Sequence, residues 1–250
     1  MASDTKARLF VSAPLAEGAE IAPAPNQAHY LAHVLRLATG DAVALFNGRD
    51  GEWRATAISF GKNKALLRVE TQFRPQVSEP DIWLAFAPLK KDRTDFLVEK
   101  ATELGVARLL PVFTRHTAAG RVNRDRLAAQ AVEAAEQCER LSVPDVAEPC
   151  SLDRLLESWP PSRLLFVSDE TGGGGPLADA LAARPDLASW GLLVGPEGGF
   201  ATMELDGLAR YSLVVKIGLG PRILRAETAA LAALAIGQAF RGDWTKKPRS

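Results

Sequence analysis

Two short apolar runs in the last third of the chain each stop abruptly at a loop of glycine and proline. The first, Leu192-Leu193-Val194, enters Gly195-Pro196-Glu197-Gly198-Gly199-Phe200. The second, Val214-Val215-Lys216-Ile217, enters Gly218-Leu219-Gly220-Pro221-Arg222-Ile223-Leu224-Arg225-Ala226-Glu227-Thr228. Glycine lets a backbone approach a ligand closely, and a neighbouring proline fixes the path of the loop. Loops of this kind at the ends of buried strands form the ligand crevice of an open α/β sheet. Neither loop is GxGxxG and neither carries the Lys-Ser/Thr of a P-loop, so a dinucleotide or a Walker-type triphosphate is a poor fit.

The rest of the chain supplies such a sheet. Residues 1–73 contain short strand patterns around Arg8–Ser12, Asp41–Phe46, Glu52–Phe60 and Lys64–Glu70, with a helix expected after a cap at Asn26. The Asn47-Gly48 and Asp50-Gly51 steps are hairpin signals, and several short strands with tight turns predict a small barrel. A polar segment with two prolines, residues 74–80, reads as a linker. Strand and helix patterns then alternate to Phe240, with helices expected over 92–104, 124–140, 152–159, 176–183, 203–211 and 227–240. Alternation predicts a mostly parallel sheet covered by helices on both faces. The Gly172–Gly175 run reads as a flexible surface loop, with a lid over a ligand as the other reading. The last helix is rich in alanine and suits either a tightly covered core or a homodimer interface.

Composition narrows the classes. With 250 residues, 47% hydrophobic content and zero formal net charge, the chain can bury a core and shows no global bias toward polyanions. Basic clusters exist locally: Lys90, Lys91 and Arg93, then Arg115, Arg121, Arg124 and Arg126, then Arg222 and Arg225. The start, Met1-Ala2-Ser3-Asp4-Thr5-Lys6, lacks an apolar h-region, and no late apolar stretch is long enough to span a bilayer. Cytoplasm is therefore the expected compartment, with no membrane partner. Cys138 and Cys150 form no CxxC and are expected reduced, with Cys138 packed on a helix. His29 and His33 share a helical face, but no third ligand cluster accompanies them and no metal is expected. Phe10, Phe46 and Trp53 can stack on bases, although aromatics in strand patterns belong first to the core.

With the loops placed after strands, a resemblance emerges. Gly195-Pro196-Glu197-Gly198-Gly199 followed by Ile217-Gly218-Leu219-Gly220-Pro221-Arg222-Ile223-Leu224-Arg225-Ala226-Glu227-Thr228-Ala229 resembles the knotted methyltransferases of the SPOUT class. More closely, the chain is similar to the ribosomal RNA small subunit methyltransferase E family, which makes N3-methyluridine in 16S rRNA. Arg8-Leu9-Phe10, His33-Val34-Leu35-Arg36, Leu45-Phe46-Asn47-Gly48, residues 100–106 and Glu136-Gln137-Cys138-Glu139-Arg140 agree with it, so the likeness spans nearly the whole chain.

The resemblance implies an N-terminal PUA-like RNA-binding β-barrel over residues 1–73. It implies a C-terminal α/β domain over 74–250, with a mostly parallel sheet, a trefoil knot and S-adenosylmethionine as methyl donor. A homodimer and 16S rRNA, met in the small ribosomal subunit, are the implied partners. The cofactor loops would be Val194, Gly195, Pro196, Glu197, Gly198 and Gly199, then Ile217, Gly218, Leu219, Gly220, Ile223, Leu224 and Thr228. Gly220 is expected to leave approach space for the ligand. Glu197 or Glu170 can offset the sulfonium charge, or Glu197 can sit at a helix start. Arg225 is the expected catalytic residue, giving fixed positive charge beside an anion formed at uridine N3. Pairing of these arginines with Glu227 is the plain alternative. RNA contacts are expected from Arg8, His33, Arg36 and Arg222, with Lys90, Lys91, Arg93, Arg115 and Arg121 neutralising phosphate. Two other functions use the same residues: a related knotted methyltransferase acting on tRNA or a ribose 2′-OH, and a non-catalytic RNA-binding assembly factor.

Overall fold

Runs rich in valine, leucine and isoleucine become most of the longer strands. The structure, a computed structural model, describes residues 5–62 and 64–245. The expectation drawn from Met1–Asp4 lies outside the described residues. Two units form, Met1–Ser78 with Ala135–Val143, and Glu79–Ala134 with Pro144–Ser250.

In the first unit, β1 (Ala7–Phe10), β2 (Glu20–Ile21), β3 (Ala42–Phe46), β4 (Glu52–Gly61) and β5 (Lys64–Arg74) form one sheet in the order β1-β3-β4-β5-β2. β1 runs parallel to β3, and the other pairs are antiparallel. The β3–β4 turn closes as its sequence requires, with Asn47 Oδ1 accepting from the amides of Arg49 and Asp50 at 3.0 and 2.9 Å. Register shifts along β4 and β5 bend the pair, as bulges do. The core of this unit buries Leu9, Val11, Ile21, Leu31, Val43, Leu45, Leu67 and Val69. The helix α1 (Pro25–His29) begins one residue before the expected cap at Asn26, because Pro25 suits a first helical turn and Gln27 Oε1 accepts from the Ala24 amide instead. It continues as one π-helical turn, Tyr30–Val34.

The second unit is an eight-stranded sheet whose described pairings are all parallel. Its elements are β6 (Asp81–Phe86), α2 (Lys91–Glu103), β7 (Arg108–Phe113), α3 (Arg124–Gln137), β8 (Asp145–Val146), β9 (Cys150–Ser151), α4 (Leu152–Ser158), β10 (Leu164–Ser168), β11 (Gly175–Pro176), α5 (Leu177–Ala182), β12 (Ser189–Val194), α6 (Thr202–Leu208), β13 (Val214–Gly218) and α7 (Ala226–Arg241). Strand order is β11-β13-β10-β12-β6-β7-β8, with β9 beside β7. Leu165, Phe166, Trp190, Leu192 and Leu193 are fully buried, as strands covered on both faces demand. Ser151 caps α4 by accepting from the Arg154 amide at 3.2 Å.

α7 packs on this sheet with Ala229, Ala230, Ala233, Leu234 and Gly237 buried. Its small residues are needed there: a Cβ on Gly237 would collide with the Trp190 ring. Thr228, Ala232, Ala235 and Ala239 lie on a partly exposed stripe of the same helix. Among the described residues no helix is long and apolar enough to cross a membrane.

Candidate functional site

β13, β10 and β12 are adjacent in the sheet, and all three deliver their carboxyl ends to one place. The loops that follow them, from Ser168, Val194 and Gly218 onward, enclose a cavity of about 600 Å³. That size lies within the range of small-molecule sites, and a sheet's strand ends are where such sites form. The predicted residues Val194, Gly195, Pro196, Glu197, Gly199, Gly218, Leu219, Gly220, Ile223 and Leu224 all line it, as do Arg222 and Arg225. Three predicted residues do not. Ile217 is fully buried beneath the loop, Gly198 faces His116, and Thr228 lies in the first turn of α7 on its exposed side.

A third wall, Ser168–Gly172 with Gly174 and Pro176, completes the lining; the sequence points to it only through Glu170 and the lid reading of Gly172–Gly175. The signal was present: Asp169 follows an apolar strand just as Gly195 and Gly218 do. The Gly172–Gly175 run is thus no free surface loop. It leads into β11, which pairs with β13, and a Cβ on Gly174 would stand only 2.5 Å from the Ile217 amide nitrogen. Glycine is there because two backbones touch. Asp169 is buried at the base of this wall. Its Oδ1 accepts from the Thr171 amide at 2.9 Å and from the Thr171 hydroxyl at 2.5 Å, while Lys216 Nζ stands 3.6 Å from Oδ2. Burial works against the ionised form, and the Thr171 hydrogen bonds and Lys216 charge outweigh it, holding the carboxyl below its ordinary value. Oδ2 accepts no hydrogen bond.

The charge pattern at the mouth differs from the simplest expectation. Glu227 does not pair with Arg222 or Arg225; its Oε1 lies 3.8 Å from Arg93 Nε. Arg93 Nη1 also donates to Glu197 Oε1 at 3.4 Å, so one guanidinium on α2 ties both loops. Glu197 is not a helix-start carboxylate either, since α6 begins at Thr202 and is served by Glu204, which accepts from the Ala201 amide at 2.9 Å. Arg222 and Arg225 are exposed at the cavity, and their side chains make no hydrogen bond or ion pair among the described residues. Arg225 caps α7 through its backbone alone, so its side chain stands beside the positive end of that helix.

His116 carries no signal in the sequence. Its Nδ1 lies 3.1 Å from the Gly198 carbonyl and 3.2 Å from that of Gly199, bracing the first loop from outside. Arg115, its neighbour, is held by its amide to Glu204 at 2.8 Å while its guanidinium is exposed. Lys90 is exposed at the start of α2. In the first unit His33 and Arg36 are exposed, and the His33 and His29 rings lie 4.6 Å apart. Arg36 has a left-handed φ of 53°.

Arg8 requires a correction. Its guanidinium donates to Glu52 and to the Ala135 and Arg140 carbonyls, and stacks 3.7 Å from the centroid of the buried Phe46 ring. Glu52 is shared with Arg74. Burial pushes the Arg8 pKa down and Glu52 opposes that shift. Arg8 is a structural anchor of its own unit, with its donors spent on protein partners where an RNA contact is expected. Phe10 meets Phe46 edge-on, and Trp53 packs on the core of the unit, so these aromatics belong to packing. No group of three or more His, Cys, Asp or Glu among the described residues is arranged to hold a metal.

The parallel sheet thus carries a backbone-lined cavity at three strand ends, with unclaimed arginines at its mouth. Residues 77–238 match the family model of the RNA methyltransferase domain, and residues 24–70 match that of the RNA methyltransferase PUA domain. The ribosomal RNA small subunit methyltransferase E of Rickettsia conorii is 34% identical over 229 residues, covering 91% of this chain and 93% of that protein. The chain belongs to the ribosomal RNA small subunit methyltransferase E family. The Neisseria gonorrhoeae member, crystallised bound to S-adenosyl methionine, superposes with a TM-score of 0.86 at 26% identity, covering 95% of this chain and 99% of that one. A putative methyltransferase of Legionella pneumophila, also in complex with that cofactor, gives 0.83 at 26% identity, covering 94% and 98%.

Proposed function

We propose that this protein transfers the methyl group of S-adenosylmethionine to N3 of a uridine in 16S ribosomal RNA. The observation that carries the reading is the pair Arg222 and Arg225, left without a protein counterion at the mouth of a backbone-lined cavity. Glycine, proline and leucine backbone can read an adenine edge without charged side chains, which suits Val194–Gly199 and Gly218–Leu224 to the cofactor. Asp169, Glu170 and Glu197 give the cavity carboxylates to offset a cationic donor, with Asp169 beside Lys216 and Glu197 beside Arg93. When bound, the cofactor supplies an electrophilic methyl group on positive sulfur. Arg225 holds positive charge where the uridine imide loses its proton, lowering the energy of the N3 anion that takes the methyl group. Arg222 holds a flanking phosphate or shares that task. The imide proton leaves to water or to a cavity carboxylate.

The N-terminal 1–73 is assigned to RNA engagement and 74–250 to methyl transfer, with His33, Arg36, Lys90 and Arg115 as contacts to RNA. A trefoil knot belongs with the same reading: β13 lies between β10 and β11, and the segment linking those two presses on Ile217. Homodimerisation through the exposed small-residue stripe of α7, in the cytoplasm, completes it.

The test is a strain lacking this protein, with its 16S rRNA mapped by mass. Loss of one N3-methyluridine, restored by the intact chain, is the expected result. Persistence of every N3-methyluridine would overturn the assignment. Calorimetry should give one cofactor site per chain, and absence of binding would favour an assembly factor.

A further inference from the structure

A second cavity of about 470 Å³ lies in the same unit, where α2 and α3 both begin. Its lining includes Lys90, Lys91, Arg121 and Arg126 and no carboxylate. Arg126 pairs with Asp95, whereas Lys90, Lys91 and Arg121 are exposed and make no ion pair among the described residues. The cap residue of α2, Lys90, makes no side-chain hydrogen bond to the first turn, and it lines the cavity with Lys91 at the positive end of that helix. The nearest acid on that turn, Asp92, is exposed and outside the lining. Three exposed cations without a protein counterion around a concavity at a helix start make a favourable seat for an anion.

Two elements connect this cavity to the strand-end site. The first turn of α2 presents Lys90, Lys91 and Thr94 to the basic cavity, while Arg93 on that turn grips Glu197 and Glu227 beside the other. The β7–α3 loop does the same, with His116 against Gly198 and Gly199, and with Ala118, Ala119, Arg121, Val122 and Asn123 lining the basic cavity. One helical turn and one loop thus form the divide between two concavities, one with a methyl-transfer arrangement and one purely basic.

We infer that the basic cavity binds a phosphodiester of the RNA strand next to the nucleotide being methylated, with Lys90, Lys91 and Arg121 as its cations. The inference rests on the proposed function for the identity of the strand. A phosphate held there sets the register of the strand, so the cavity fixes which base reaches Arg225 while carrying no sequence information itself.

The test is the double variant Lys90→Ala/Arg121→Ala in the full chain, both side chains being exposed and outside every ion pair among the described residues. Its binding to small ribosomal subunits from the deletion strain is measured against potassium chloride concentration, alongside cofactor calorimetry. Affinity should fall by roughly tenfold, and the slope of log K against log salt should become shallower by about 0.7 for each phosphate no longer neutralised. Cofactor affinity should be unchanged, the kinetic loss should fall on KM for the subunit, and Lys90→Arg/Arg121→Lys should recover most of the affinity. Unchanged subunit affinity and salt slope overturn the inference. Inorganic phosphate that stabilises the wild type but not the double variant, with subunit binding equal in both, assigns the cavity to a small free anion and also overturns it. A wild type that binds subunits and cofactor yet methylates nothing sinks the proposed function instead, while the salt slopes still decide the cavity.

Discussion

Arg225 and Arg8 are both arginines in family-like motifs, yet their surroundings give them opposite roles. Arg8 is surrounded by Glu52 and three backbone carbonyls, and its charge is consumed. Arg225 faces the cavity with no acid paired to it, because Arg93 has already drawn Glu227 and Glu197. Removing each therefore has a different signature. Arg225→Ala should lower turnover by about 10²-fold or more, the scale of removing one charge-stabilising group, with cofactor affinity within several-fold of wild type. A large loss of cofactor binding would show that Arg225 is a binding residue. Glu52→Ala leaves Arg8 and Arg74 without their shared counterion and should cost about 3–5 kcal/mol of stability, read by denaturant titration, with no direct effect on the chemistry. A change below about 1 kcal/mol would mean that water replaces the carboxylate there.

At the scale of elements, glycines in the site loops act for separable reasons. A Cβ on Gly174 meets the Ile217 backbone at 2.5 Å, whereas one on Gly175 meets nothing within 4 Å. Gly174→Ala should then destabilise by about 1–3 kcal/mol or more, the usual cost of overpacking, and Gly175→Ala should stay within roughly 0.5 kcal/mol of wild type. Equal melting temperatures for the two would refute the close approach of β11 to β13. Gly220 is different again. No protein atom lies within 4 Å of its would-be Cβ and its φ is 97°, so glycine supplies there a backbone conformation that an L side chain resists and open space at the cavity wall. The loops were legible because proline and glycine punctuate apolar strands. The third wall was less so, because four glycines in a row carry the same local signal whether a segment is mobile or pressed against another backbone.

For the whole molecule, the α7 stripe gives a prediction about assembly. Sedimentation should find a dimer, and Ala235→Arg, on the partly exposed side of that helix, should shift it toward monomer while leaving the monomer folded. A wild type that sediments as a monomer across the micromolar range would refute this. The sequence by itself determined the alternating strands and helices, the hairpin at Asn47, the two strand-end loops and the family, because periodicity, turn chemistry and motif spacing are local properties. Only the tertiary structure decided that Ala135–Val143 joins the N-terminal unit, that Arg8 serves packing, and that β10, β12 and β13 converge. It also decided that the acids near the second loop belong to Arg93, a residue far away in the chain. The physical reason is the same in each case. A charge or a glycine is defined by its neighbours in space, and parallel strands find those neighbours through long crossovers that local sequence does not encode.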